Sequence, residues 1–219
     1  MRANVVFELF DRRQEFDVRY GNLPHWYQPG VTYFVTFRTA DSVPVSLTRS
    51  WHLRRQQWLT HHGFDARGEW KVQLRYKPEL EKEFHATFTR AFMEYLDRGL
   101  GQCLLKQSAV AHAVADTLKH FDGERYHLGD FILMPNHVHL LVCLLGTTEI
   151  ESVCTSWKKF SATTINRMLQ RSGRLWQEES FDHLVRSPEQ FEHLQRYIRD
   201  NPKKANLKSG EFLYAQRTM

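Results

Sequence analysis

The chain has 219 residues, a formal net charge of +5, and 42% hydrophobic and 13% aromatic residues. This describes one well-buried core, with or without an elaboration, and excludes a disordered or fibrous chain. No stretch approaches a membrane span, Met1-Arg2-Ala3-Asn4 does not open an apolar leader, and Cys103, Cys143 and Cys154 form no CxxC pair, so a cytoplasmic, nucleoid-associated location without disulfides is expected.

Residues 1–22 read as a charge-rich lead-in with room for one short strand, and 23–207 as one domain followed by a tail, 208–219. Leu23-Pro24-His25-Trp26 and Gln28-Pro29-Gly30 carry turn chemistry ahead of a β-branched and aromatic strand, Val31 to Phe37. A helix is expected from Pro44 to His62, a loop from Gly63 to Lys77, and helices from Pro78 to about Asp97 and from Ser108 to Phe121. Together they form a helical elaboration at about 44–121. Phe131-Ile132-Leu133 and His137 to Val142 make a hairpin around Pro135-Asn136. Thr147-Thr148 caps a helix that runs to about Leu169 and stops by Gly173, and Phe181 to Arg186 reads as a further strand. Ser187-Pro188-Glu189-Gln190 is a capping box opening the last helix, whose buried stripe is Phe191, Leu194 and Ile198. At about 100° per residue, Tyr197 and Asn201 lie on one flank of that stripe, and Pro202 is expected to end the helix at or before Asn201. The order strand, helices, two strands, helix, strand, helix gives an α+β fold with an antiparallel sheet.

His137 and His139 share a strand face, about 6.6 Å apart, a spacing at which two imidazoles can hold one divalent cation. Such a cation has open positions for phosphodiester oxygens. Cys143 shares their face but lies about 13 Å further along, too far to join them, and reads as core. A phenol ionises near pH 10 and is a poor nucleophile until a metal or lysine favours the phenolate. Arg196, Arg199, Lys203 and Lys204 surround Tyr197 in sequence. The combination points to tyrosine attack on a phosphodiester.

Leu23-Pro24-His25-Trp26, Tyr33-Phe34-Val35-Thr36-Phe37-Arg38, Met134-Pro135-Asn136-His137-Val138-His139, Trp157-Lys158-Lys159-Phe160, Trp176-Gln177, Phe181-Asp182-His183 and Tyr197-Ile198-Arg199-Asp200-Asn201-Pro202 follow one another in order. This series resembles the HUH-type single-tyrosine transposases, and among them the REP-associated tyrosine transposases. The resemblance implies a ferredoxin-like βαββαβα core acting on single-stranded DNA beside a hairpin, as a monomer or homodimer. It implies that His137 and His139 are metal ligands, that Asn201 helps complete the shell, and that Tyr197 becomes a 5′-phosphotyrosine. The metal it implies is Mg²⁺ or Mn²⁺, and two nitrogen ligands lean toward Mn²⁺. Lys158 and Lys159, beside Trp157 and Phe160, are candidate phosphate contacts, with Arg174, Arg186 and Lys203 as further DNA-binding candidates. His25, His183 and His193 read as surface or hydrogen-bonded histidines, His183 being the one to test because it lies in a matched motif. The alternative reading is a module that binds hairpin DNA or RNA without cutting it.

Overall fold

The computed structural model describes residues 6–20, 24–66 and 70–217; Met1-Arg2-Ala3-Asn4, Leu23 and the side chains of His25, Lys71 and Arg75 lie outside the described residues. β1 (Asp17–Tyr20) and β2 (Pro24–Tyr27) pair antiparallel in a separate ribbon. Pro24-His25-Trp26 is therefore strand rather than turn. Proline is tolerated at the first position of such a strand, where it removes no interior ladder bond.

The main sheet contains β3 (Thr32–Arg38), β4 (Tyr126–Met134), β5 (His137–Leu144), β6 (Phe181–Leu184) and β7 (Leu213–Ala215). Its order is β6-β3-β5-β4-β7 and every pairing is antiparallel. The first four strands thus lie fourth-first-third-second, the order of a split βαβ arrangement. The fifth comes from the segment read as a tail, and it anchors the C-terminus to β4.

Side-chain alternation gives the sheet two packed faces. Tyr33, Val35, Phe37, Val138, Leu140 and Val142 pack with α5 (Ser108–Lys119) and α6 (Ile150–Met168). Within this core Trp157 Nε1 donates to Tyr126 Oη (2.8 Å), which donates to the Leu118 carbonyl (2.8 Å), so the buried polar atoms are paired. On the opposite face Phe34, Ile132, Met134 and Leu141 pack with Ile198 of α7 (Pro188–Lys204). His137 and His139 belong to this second face.

The elaboration contains α1 (Val45–His61), α2 (Trp70–Arg75), α3 (Pro78–Phe84), a π-helical turn (His85–Arg90) and α4 (Ala91–Leu96). α2 lies where a loop was expected. Trp70 and Leu74, one turn apart, bury against Leu59, Phe64 and Phe84, and that satellite core makes the short helix worth forming. Two helix ends also differ from expectation. α6 starts at Ile150 with no side-chain cap from Thr147 or Thr148, and it is left through Gln170 (φ 49°), before Gly173 is reached. α7 continues through Pro202 to Lys204. Proline removes only its own N–H, and Ala205 N donates to the Asn201 carbonyl (3.0 Å) and Leu207 N to the Pro202 carbonyl (2.9 Å) to close the end.

Candidate active site

The two-residue connection Pro135-Asn136 starts β5 at His137. Asn136 is fully buried, and its Nδ2 donates to the Leu100 carbonyl (2.8 Å), which fixes the amide. Its Oδ1 then accepts from His137 Nδ1 (2.8 Å), leaving the lone pair on Nε2. His139 Nδ1 lies 2.7 Å from Oγ1 of Thr36, its partner in the β3–β5 register. When that Nδ1–H donates to Thr36, His139 also presents a free Nε2. The rings meet edge to face with centroids 4.6 Å apart.

Asp97 was not anticipated as a site residue. It follows α4, and two glycines in the left-handed region, Gly99 (φ 61°) and Gly101 (φ 95°), turn the chain beside it. A Cβ on Gly101 would stand 2.8 Å from the Asp41 carbonyl oxygen, so the close approach requires glycine. Gln102 N donates to Asp41 Oδ2 (2.7 Å) and Leu105 N to the Pro135 carbonyl (3.2 Å), tying this segment to the hairpin tip. Asp97 Oδ1 consequently lies 3.6 Å from His137 Nε2. One ligand atom each from Asp97, His137 and His139 falls within 4.8 Å of the others.

α7 brings the fourth and fifth groups. Ser187 caps it, accepting from Gln190 N (3.2 Å); the Gln190 side chain accepts from Arg186 N (2.8 Å) instead of from the Ser187 N–H of a standard box. With Ile198 buried against the sheet, half-buried Tyr197 places its hydroxyl 3.4 Å from His139 Nε2. Phe34 and His139 both meet its ring edge-on, at 5.9 and 5.2 Å. Asn201, one turn further on, is fully buried, and neither its Nδ2 nor its Oδ1 has a hydrogen-bond partner of good geometry. It nevertheless lies close enough to Asp97 and Tyr197 to favour ionisation of both. Lys204 Nζ stands 5.1 Å from the centre of the Tyr197 ring.

Burial decides the charge states. It pulls His137 down to about 3 and His139 well below its ordinary value, so both rings are neutral at pH 7. It raises Asp97 to about 6, which still leaves that carboxyl mostly ionised. Burial, and then the Asp97 charge, push Tyr197 upward, away from spontaneous phenolate formation. The pocket thus holds one negative charge and several lone-pair atoms. Asp97 Oδ1, His137 Nε2 and both Asn201 amide atoms are buried without hydrogen bonds. Unpaired buried polar atoms are costly, and the carboxylate oxygen, the imidazole nitrogen and the Asn201 amide oxygen are the kinds of donor a divalent cation takes. The residues fit such an ion.

Residues 106–201 match the family described as IS200-like transposases. Over that span, somewhat under half of its length, the chain is similar to this family. The span includes His137, His139, Tyr197 and Asn201, whereas Asp97 lies ahead of it, in the elaboration. Among solved structures, the chain is similar to a REP-associated tyrosine transposase bound to a REP hairpin, at 18% identity, over 82% of this chain and 71% of that one, with a TM-score of 0.43. No curated protein matches. No helix among the described residues is long and apolar enough to cross a membrane.

The DNA-binding candidates are dispersed. Lys158 and Lys159 ride on α6, on the sheet face opposite the histidines; Lys158 Nζ donates to the Glu178 carbonyl and Lys159 is exposed. Arg174 is exposed and pairs with Glu178 at 3.7 Å, while Arg186 is half-buried ahead of α7 with its Nε unpartnered. Lys203 is exposed near the end of α7; Lys204 is the lysine beside the tyrosine. His183 Nε2 lies 2.6 Å from Gln190 Nε2, His193 is exposed, and Cys143 is buried with its Sγ donating to the Gly30 carbonyl at 3.4 Å. Besides Asp97, sequence reasoning missed Thr36 and Asn136, the groups that orient the imidazoles. Their adjacency to the histidines, in register and in sequence, was the available signal.

Proposed function

We propose that this chain cleaves and rejoins single-stranded DNA beside a hairpin, through a covalent bond between Tyr197 and a 5′ phosphate. His137, His139, Asp97 and Asn201 would hold the cation. The observation carrying this reading is the Tyr197 hydroxyl 3.4 Å from His139 Nε2, within one chain. The hairpin and the single strand rest on the resemblance of the ordered motifs.

A divalent cation bound there would polarise a phosphate oxygen and favour the phenolate. Two imidazoles, a carboxylate and an amide suit Mn²⁺ better than Mg²⁺, which prefers an all-oxygen shell. The protein's own groups supply the rest. Asn136 and Thr36 hold the imidazoles in one tautomer each, Asp97 contributes the charge that balances a cation, and Phe34 and His139 confine the Tyr197 ring so that little orientation is lost on attack. Lys204 places a positive charge over that ring, where a phosphate would approach. Attack by Tyr197 Oη on phosphorus forms the phosphotyrosine and breaks the bond to O3′, releasing a 3′ hydroxyl. A 3′ hydroxyl attacking the phosphotyrosine reverses the step, so the phosphodiester bond energy is retained and no further reactant is needed. The nucleophile and the candidate ligands come from one chain, so a monomer suffices for this chemistry.

The test is incubation with hairpin-bearing single-stranded DNA and Mn²⁺, read on denaturing gels. A slower-migrating covalent species that disappears in Tyr197→Phe is expected. Tight binding with no adduct from the wild type would instead identify a non-cleaving DNA-binding module.

A further inference from the structure

α7 covers the part of the histidine-bearing face formed by β4 and β5. Beyond His139 that face continues across β3 and the edge strand β6: Phe181 stands opposite Thr36, and His183 opposite Phe34. Over it sits the helical elaboration, and between the two lies a cleft of about 1080 Å³ that reaches Thr36, the residue bonded to His139. On the sheet side Phe181 and His183 are half-buried, with ring centroids 6.5 Å apart and ring planes within 6° of parallel. On the roof Trp51 meets Phe92 and Tyr95 edge-on at 5.4 and 5.2 Å.

Three arginines of the wall, Arg38, Arg55 and Arg186, are half-buried, and none is within ion-pairing distance of a carboxylate among the described residues. Arg38 donates to Ser42 Oγ (3.1 Å) and Arg55 to His52 Nδ1 (3.1 Å), while Arg186 Nε donates to nothing. Burial works against the charge of all three. Glu81, Glu178, Glu179 and Asp182 also line the cleft; Glu178 is engaged by Arg174, and Glu179 and Glu81 act on the three arginines only at longer range. A guanidinium kept partly dry without a carboxylate is suited to a phosphate.

We infer that this cleft binds the unpaired DNA strand leading to Tyr197, with phosphates against Arg38, Arg55 and Arg186 and a base on Phe181. The inference rests on the DNA-cleaving reading for the identity of the strand. Charge and aromatic rings together select an unpaired strand over a duplex, because a duplex keeps its base faces stacked and offers half-buried rings nothing to stack on. The cleft also gives the elaboration a second task. It supplies Asp97 to the candidate metal site and roofs the approach to it.

The test uses the full chain in EDTA, so that cleavage does not intervene, and fluorescence anisotropy of labelled oligo-dT over a range of salt. Arg55→Gln/Arg186→Gln removes two phosphate contacts and should flatten the log–log salt slope by about 1.4, at ~0.7 per contact for a single strand. Phe181→Leu keeps an apolar side chain but loses stacking, and should weaken binding by at least about fivefold. A retained Mn²⁺-induced rise in melting temperature shows that each variant is folded. In the wild type, bromodeoxyuridine crosslinks should map to peptides containing Phe181, Trp51 or Phe92, a readout that needs no variant. Unchanged affinity and salt slope in folded variants, crosslinks elsewhere, or tighter binding of oligo-U through the same residues would overturn the inference. An adduct on Tyr197 with variant-insensitive binding sinks the cleft alone; cleft-dependent binding without an adduct sinks the cleavage reading alone.

Discussion

Replacing Asp97 by asparagine should make the metal-free protein more stable and the metal-loaded protein less so. Burial raises this carboxyl from an ordinary 3.8 to about 6. At about 1.36 kcal/mol per pH unit, holding it ionised at neutral pH costs folding about 3 kcal/mol, or ~2 kcal/mol once screening of the partly exposed side chain is discounted. The sign follows from linkage. The folded carboxyl holds its proton more tightly than the unfolded one, so the cost is full above about pH 6 and fades as pH falls through 3.8. In EDTA at pH 8, Asp97→Asn should therefore melt about 4–8 °C above the wild type, and the gap should close near pH 4. Saturating Mn²⁺ should reverse the order: the wild type gains about 2.7 kcal/mol at a hundredfold excess over Kd, and the variant gains much less. Differential scanning fluorimetry with and without chelator reads all four states. Equal melting temperatures in EDTA, together with equal Mn²⁺ shifts, would show that Asp97 is a spectator.

Thr36→Val preserves side-chain volume but removes the oxygen 2.7 Å from His139 Nδ1, and should lower Mn²⁺ affinity by about 10–100-fold by calorimetric titration. Gly101→Ala forces an l-residue to φ 95° and a Cβ to 2.8 Å from the Asp41 carbonyl, which should cost more than about 1 kcal/mol in denaturant unfolding and weaken Mn²⁺ binding by moving Asp97. His137, held near 3 against an ordinary 6.5, and the similarly depressed His139 contribute stability that is full above pH 6.5 and lost as pH falls toward 3. In chelator, and in Asp97→Asn so that this neighbouring carboxyl does not oppose them, the urea midpoint should fall steadily from pH 7 to 5; a flat profile would contradict the buried, neutral pair.

The histidines and the tyrosine were legible because periodicity fixes their directions: two residues apart on a strand for His137 and His139, and the flank of an apolar stripe for Tyr197 and Asn201. The antiparallel α+β sheet followed from the alternation of strand and helix signals. Asp97 was not legible, because an aspartate at the end of a helix is ordinary, and its place depends on tertiary ties from Asp41 to Gln102 and from Pro135 to Leu105. Pro202 misled for a related reason. A proline read from local rules ends a helix, but near the C-terminal end of α7 it forfeits one bond while the helix remains packed through Ile198. The strand at Pro24–Tyr27 and the helix at Trp70–Arg75 were missed because pairing and a satellite core, rather than intrinsic propensity, stabilise them.

The most direct test of the central claim is peptide mapping after the chain has been incubated with Mn²⁺ and hairpin-bearing single-stranded DNA. The account predicts a nucleotide-bearing peptide whose modified residue is Tyr197, absent when EDTA replaces Mn²⁺. A modification on another residue, or a Tyr197 adduct formed equally well in EDTA and in His137→Ala/His139→Ala, would contradict it.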